Sequence, residues 1–469
     1  MSNFLKQLKK ETNKGTTLNG AETLNSSLNP LVDFFAQGGA TRNNQELGVK
    51  LFLQAFAYDR QKAIRLLFYM RDIRGGQGER SLFRNCLQYL GTVEPVVAQK
   101  IVEYIPEYGR YDDLFSLPKE IYIPLIHEQL LKDCETDNPS LLAKWMPSEN
   151  TSSKETKVLA KSIREALGGT SKEYRQLLSG LRAKIKLVEQ KLSSREFTSI
   201  DYSKVPSQAS LKYKKAFFRN DEAGYKAFLE KVEKGEAKIN ASTLYPYQIY
   251  DAVDNGDNIG TSEALWKALP DYTQGKNAIV VADVSGSMSG RPMSISVSLA
   301  LYFAERNQGA FHNHYITFSG EPVLQEVKGK TLRDKMNFIE RTNVGYNTDL
   351  NKAFKLLVDT SVKNNIEPGE MPETIYVISD MEFDSPDVGG TNFKAIQKMF
   401  AGTQYKIPNL VFWNVNAHQK NIPVEENQNG VTLVSGASAS TFKLVMENKT
   451  PNDLMEDVVN SERYSNITL

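Results

Sequence analysis

Cysteine is scarce in this chain of 469 residues: Cys86 and Cys134 are the only two. Two thiols build no disulfide framework and make no zinc pattern, and they read as reduced thiols of an intracellular protein. Histidine is nearly as rare, at four. His312 and His314 sit two apart on a predicted strand and share a face, but no third ligand stands beside them, so zinc is not indicated. No nucleophile–histidine–acid arrangement is legible. Ser287 lies in VSGSM, not in the Gly-x-Ser-x-Gly elbow of a hydrolase. Long apolar runs are missing too, since nothing approaches the roughly 18 residues a membrane span needs. The first stretch, MSNFLKQLKKETNKGTT, lacks the apolar centre of a signal peptide. The expectation is a cytoplasmic, non-enzymatic protein with no membrane partner.

Net charge is also small, +1, but its distribution is uneven. Residues 1–277 carry 40 basic and 34 acidic side chains, whereas residues 278–469 carry 17 and 22. The excess sits in residues 154–219, with 16 basic against 6 acidic. Either this half meets a polyanion such as RNA, or the charges solvate helical faces. The length calls for two or three domains.

Residues 1–28 are polar and without period, and read as a flexible lead-in. From 29 to 270 the pattern is helical. Segments at Leu31–Phe35, Glu46–Phe56, Gln61–Met70, Ser81–Leu90, Val96–Tyr104 and Ile121–Leu131 suggest a HEAT-like helical array without a clean repeat period. Basic helices follow at Lys157–Leu167 and Glu173–Leu192, the second carrying Lys184 and Lys186. In LKYKKAFFRN, Lys212, Lys214, Lys215 and Arg219 interleave with Tyr213, Phe217 and Phe218. That pattern suits phosphate contact with base stacking, or equally an aromatic stripe facing a core. In RDIRGGQGER, Arg71, Arg74 and Arg80 flank a glycine-rich turn. Its amides and guanidiniums suit a phosphate at the start of the Ser81 helix. The alternative is a helix–helix turn in which Arg71 or Arg80 pairs with Asp72 or Glu79. A nucleotide P-loop is excluded, because no strand precedes the turn and no Lys-Ser/Thr pair ends it.

Residues 277–469 alternate strand and helix, which predicts a doubly wound parallel sheet. Strands are predicted at Asn277–Ala282, Ala310–Phe318, Thr374–Ile378, Asn409–Val415 and Gly430–Val434, with a weaker edge strand at Pro322–Val327. Such sheets bind ligands beyond the carboxyl ends of their strands. Asp283, Ser285 and Ser287 leave the first strand at alternate positions, a hard-oxygen set that suits Mg²⁺ or Mn²⁺. Thr348, before a helix, and Asp380, ending a buried strand, fall on the same edge. Asp349, Glu382 and Asp384 are nearby carboxylates, which either substitute in the site or, as read here, are solvated.

These five positions resemble the metal-ion-dependent adhesion site of the von Willebrand factor A fold. The resemblance implies direct metal ligation by Ser285, Ser287 and Thr348. It implies that Asp283 and Asp380 act directly or through waters, and that an open position takes an acidic group, such as a partner protein's Asp or Glu. Many relatives place glycine after the last aspartate, where this chain has Met381. RDIRGGQGER, YGRYDDLF at Tyr108–Phe115 and LAKWMPSEN at Leu142–Asn150 resemble motifs of TROVE-like proteins, which include the Ro ribonucleoprotein autoantigen. They resemble more closely an uncharacterised family, domain of unknown function 2828, of plants, viruses and bacteria. Ro-type resemblance implies a crescent or ring of helices and binding of structured or single-stranded non-coding RNA. Arg71, Arg74, Arg80, Lys184, Lys186, Lys212, Lys214, Lys215 and Arg219 are its candidate contacts here.

Overall fold

A computed structural model describes residues 3–185, 187–256, 260–273, 277–318, 321–341, 348–386 and 389–469. The chain opens with the helix Asn3–Glu11 and a small antiparallel ribbon, β1 (Lys14–Thr16) with β2 (Glu22–Leu24). Helices then dominate from Pro30 to Lys267. A six-stranded sheet follows: β3 (Ala278–Ala282), β4 (His314–Thr317), β5 (Leu324–Glu326), β6 (Thr374–Ser379), β7 (Asn409–Asn414) and β8 (Val431–Ser435). Its order is β5-β4-β3-β6-β7-β8, parallel throughout except for the antiparallel β5 edge.

Every residue of β3 and β6 is buried. Alternation along the strands sorts their side chains between two apolar layers. Ile279, Val281, Ile375, Val377, Leu410 and Phe412 face the helices Leu350–Asn364 and Asn392–Phe400 through Phe354, Val358 and Ile396. Val280, Tyr376, Ile378, Val411 and Trp413 face the other way, toward the helix Arg291–Arg306, and join the core of the N-terminal helices. The division near residue 277 is therefore one of the chain rather than of the core.

Two segments cross that division. The helix Pro30–Gly38 lies on the sheet, where Ser435 Oγ donates to Phe35 O (3.1 Å) and accepts from Gly39 N (3.0 Å). At the other end, Arg65 Nη2 donates to Ser465 O (2.7 Å) and Tyr108 OH donates to Arg463 O (2.5 Å).

Three expectations change. Regular structure appears in the stretch expected to lack it: the helix Asn3–Glu11 and the ribbon, where Leu24 N donates to Ile422 O (3.0 Å) and Ile422 N donates back to Leu24 O (2.8 Å), joining the ribbon to the C-terminal half. The helix expected over Glu173–Leu192 is two, Ser171–Lys184 and Val188–Ser193. The strand expected from Ala310 starts at His314, since Asn313 adopts a left-handed φ of 59° that ends any extended run before it.

Candidate cation site at the carboxyl edge of the sheet

From β3 the chain runs outward through β4 to β5, then returns to lay β6 on the other side of β3. Strand order reverses there, and such a reversal opens a crevice at the carboxyl ends. Ala282 pairs with Ile378, so Asp283 and Ser379 emerge side by side from the two strands. Asp283 Oδ1 accepts from Ser285 N (2.9 Å), and Asp283 Oδ2 accepts from Ser379 Oγ (2.7 Å). Ser285 Oγ and Ser287 Oγ lie 3.1 Å apart, Ser285 buried and Ser287 exposed. Asp380 follows Ser379, and its Oδ1 accepts from Glu382 N (3.1 Å).

Asp283 and Asp380 are 0% and 1% exposed, and among the described residues neither pairs with a lysine or arginine. Burial, and then the neighbouring Asp380 charge, push Asp283 up to about 7. The nearest basic group is His418 Nε2, 3.2 Å from Asp380 Oδ2. The same nitrogen lies 2.9 Å from Asn416 Nδ2. While it accepts that amide proton it has none to give, and Asp380 Oδ2 is left as a buried acceptor without a donor. Contact with Asp380, opposed by partial burial, raises the pKa of His418.

Thr348 reaches the same edge, buried, one residue before Asp349 caps the helix Leu350–Asn364 through Lys352 N (3.0 Å). Its neighbours 345–347 in GYNTDL lie outside the described residues. Thr348 Oγ1 donates to Glu382 O (2.9 Å) and accepts from Asn19 Nδ2 (2.9 Å). Asp384 Oδ2 accepts from Thr348 N (2.9 Å). The structure thus clusters Asp283, Ser285, Ser287 and Asp380, and ties Thr348, its hydroxyl engaged, to Glu382 two residues past Asp380. Glu382 is buried, not solvated: Leu18 N (2.5 Å) and Asn421 Nδ2 (3.0 Å) donate to its carboxylate, and burial raises its pKa. Asp349 and Asp384 are likewise committed to backbone N–H groups.

Met381 occupies the glycine position in a left-handed conformation, φ 66°. Such a φ costs a side-chain-bearing residue about 1–2 kcal/mol. The side chain is buried in the apolar layer with Phe383 and Phe393, and deleting a buried side chain of that size costs about 2–5 kcal/mol. The lost packing outweighs the relaxed backbone, so Met381→Gly is expected to lower the thermal unfolding temperature. A raised temperature would show that strain dominates there.

Sequence reasoning missed Ser379, Asn416, His418 and Asn19. Strand register could have found Ser379. His418 and Asn19 arrive from distant loops and carry no local signal.

The candidate phosphate contacts divide. Arg71 is 4% exposed and pairs with Asp113 through Nε (2.8 Å), so it presents no guanidinium to solvent. Its expected partners differ: Asp72 accepts from Arg463 and from Tyr464 OH (3.0 Å), and Glu79 pairs with Arg42. Lys214 is buried with its Nζ 3.2 Å from Ser262 Oγ. Phe217 is buried, with Tyr213 and Phe218 packed against the same cluster, so these rings are core rather than stacking platforms. Arg74, Arg80, Lys184, Lys212, Lys215 and Arg219 remain exposed, although Lys184 Nζ donates to Thr136 O (2.9 Å) and Arg74 Nη1 to Glu107 O (3.2 Å). Lys186 lies outside the described residues.

Among the described residues no group of three or more His, Cys, Asp or Glu is arranged to hold a metal. No helix among them is long and apolar enough to cross a membrane. Residues 17–105 and 126–283 match a family model described as Domain of unknown function (DUF2828), and residues 277–467 match one described as Domain of unknown function (DUF7788). An uncharacterized protein of Acanthamoeba polyphaga mimivirus, L728, is 29% identical over 486 residues, covering 92% of this chain and 85% of its own.

Proposed function

We propose, on the premise that the chain belongs to the family described as Domain of unknown function (DUF2828), that it is a non-enzymatic binding protein. Its sheet domain would be of von Willebrand factor A type, holding Mg²⁺ or Mn²⁺ and capturing an acidic group. One observation carries the reading: two adjacent buried carboxylates, Asp283 and Asp380, have no arginine or lysine partner among the described residues, and the nearest basic group is His418, 3.2 Å from Asp380 Oδ2. Burying two like charges is costly unless a cation or proton compensates them. The donor set fits a hard divalent cation: two carboxylates with the Ser285 and Ser287 hydroxyls. A cation bound there would offer an open position to a carboxylate on a partner. Ser379 holds the Asp283 carboxylate in place, and the Glu382 amide holds that of Asp380.

Isothermal titration with Mn²⁺ tests this. The wild type is expected to bind one ion, and Ser285→Ala/Ser287→Ala to bind at least about 10-fold more weakly, in line with one lost ligand interaction of about 1.4 kcal/mol. A wild type that takes up no Mn²⁺ overturns the reading.

A second reading, Ro-type RNA binding, rests on the exposed Lys212, Lys215 and Arg219 on one helix, Ser207–Asn220. Mobility shift with single-stranded and structured RNA would test it. Binding should weaken steeply with salt, and no shift at low salt would end it.

A further inference from the structure

We propose that Arg80, Arg84 and Arg110 form a binding site for a phosphate group. The site stands on its own geometry and rests on the RNA reading only for the source of the phosphate. Three guanidiniums pair with two carboxylates here, and a fourth, Arg80, stands on the same helix face as one of them. Asp113, fully buried, takes Arg71 Nη2 (2.7 Å) and Arg84 Nε (2.6 Å). Asp112, partly exposed, takes Arg84 Nη2 (2.8 Å) and Arg110 Nε (2.8 Å). That leaves two positive charges in excess.

Arg80 is the member left over. It lies four residues before Arg84 on the helix Arg80–Val93, hence on the same face. Among the described residues no carboxylate lies within ion-pair distance of it. Partial burial, then the charges of Arg110 and Arg84, hold its pKa below the usual arginine range. An anion between them would relieve that repulsion.

The surrounding groups fix the shape of the site. Arg110 is stacked on Trp145, its Cζ 3.9 Å from the ring centroid, and Lys144 Nζ approaches the same ring at 5.6 Å. Stacking and the Asp112 pairing occupy one face and one edge of Arg110. Among the described residues Nη1 of Arg110 and of Arg84 have no ion-pair partner, and Arg80, one helical turn before Arg84, adds its whole guanidinium on that face. Three guanidinium edges match the several acceptor oxygens of a phosphate better than the two of a carboxylate, and the paired aspartates hold two of the three in advance.

The test is fluorescence anisotropy with a labelled single-stranded oligoribonucleotide, together with calorimetric titration of inorganic phosphate. Both are run on the full chain and on Arg80→Gln and Arg219→Gln. Arg80 makes no internal ion pair among the described residues, so its variant is expected to fold, which circular dichroism would check. The site is supported if Arg80→Gln weakens RNA binding at least tenfold while Arg219→Gln changes it less than twofold. It is also supported, with the RNA reading lost, if inorganic phosphate binds and Arg80→Gln abolishes that binding while RNA does not bind. Equal small effects of the two variants on RNA affinity, with no phosphate binding, would overturn the site and leave the RNA reading intact. Binding of neither probe to the wild type would overturn both.

Discussion

Alanine at position 76 is expected to cost more than about 4 kcal/mol of folding stability, enough to unfold the chain or leave it insoluble, since native proteins are stable by only about 5–15 kcal/mol. A Cβ there would lie 1.9 Å from the Tyr69 carbonyl oxygen and 2.9 Å from its carbon. Both are backbone atoms at the end of the helix Arg60–Arg71 and cannot rotate away. The turn folds back on that helix through Gly76 N to Asp72 O (3.1 Å), Gln77 N to Tyr69 O (3.1 Å) and Glu79 N to Met70 O (2.6 Å). Its side chains then reach across the molecule. Gln77 donates to Thr441 Oγ1 (3.3 Å), and Asp72 holds Arg463 and Tyr464. The glycines that suggested a phosphate loop thus make a joint between the helical half and the C-terminal segments. Gly180→Ala is the control. It sits within the helix Ser171–Lys184 with open space around it, and should gain up to about 1 kcal/mol in helix propensity. Chemical denaturation of both variants decides it. A Gly76→Ala protein with unchanged midpoint would refute the joint.

Asp283→Asn is expected to raise the stability of the cation-free protein and to abolish its response to cation. Asparagine keeps an acceptor for Ser285 N but removes the charge that burial and Asp380 oppose. Each pKa unit of such opposition is worth about 1.4 kcal/mol. In the wild type, Mg²⁺ or Mn²⁺ should raise the thermal midpoint with concentration, through a stabilisation of about 2.7 kcal/mol at a hundred times Kd. In the variant that increment should vanish while the starting midpoint is higher. A structural role alone predicts a lower starting midpoint and no cation effect in either protein. Differential scanning fluorimetry across a Mn²⁺ series separates the two, and that second pattern would end the cation assignment.

The strands that form the candidate site were legible because β3 and β6 are buried on both faces, so an unbroken run of apolar and β-branched residues marks each one. Asp283, Ser285, Ser287 and Asp380 follow those runs directly, and their convergence needs only parallel register. The helical half was harder. Nothing local to Arg71 shows that its partner is Asp113, 42 residues on, rather than its neighbour Asp72. Lys214 reads as an exposed cation on a basic helix until Ser262 is placed against it. The ribbon was missed for a different reason: its strands are three residues each, too short to show a period.

That ribbon sets an order of events during synthesis. Thr17 Oγ1 donates to Phe383 O (2.8 Å), and Thr23 Oγ1 donates to Ile422 O (3.0 Å). At a synthesis rate of about 5–20 residues per second, those partners leave the ribosome roughly 20–80 s after the ribbon does. Until then Ala21 and the apolar face of Pro30–Gly38 have no sheet to lie on. The last turn, Glu462–Ser465, in turn is needed to complete Asp72 and Arg65 in the helical half. Neither half can finish before the other, so the nascent chain must be kept from aggregating for most of its translation, and expressing either half alone would expose surface the other end of the chain covers.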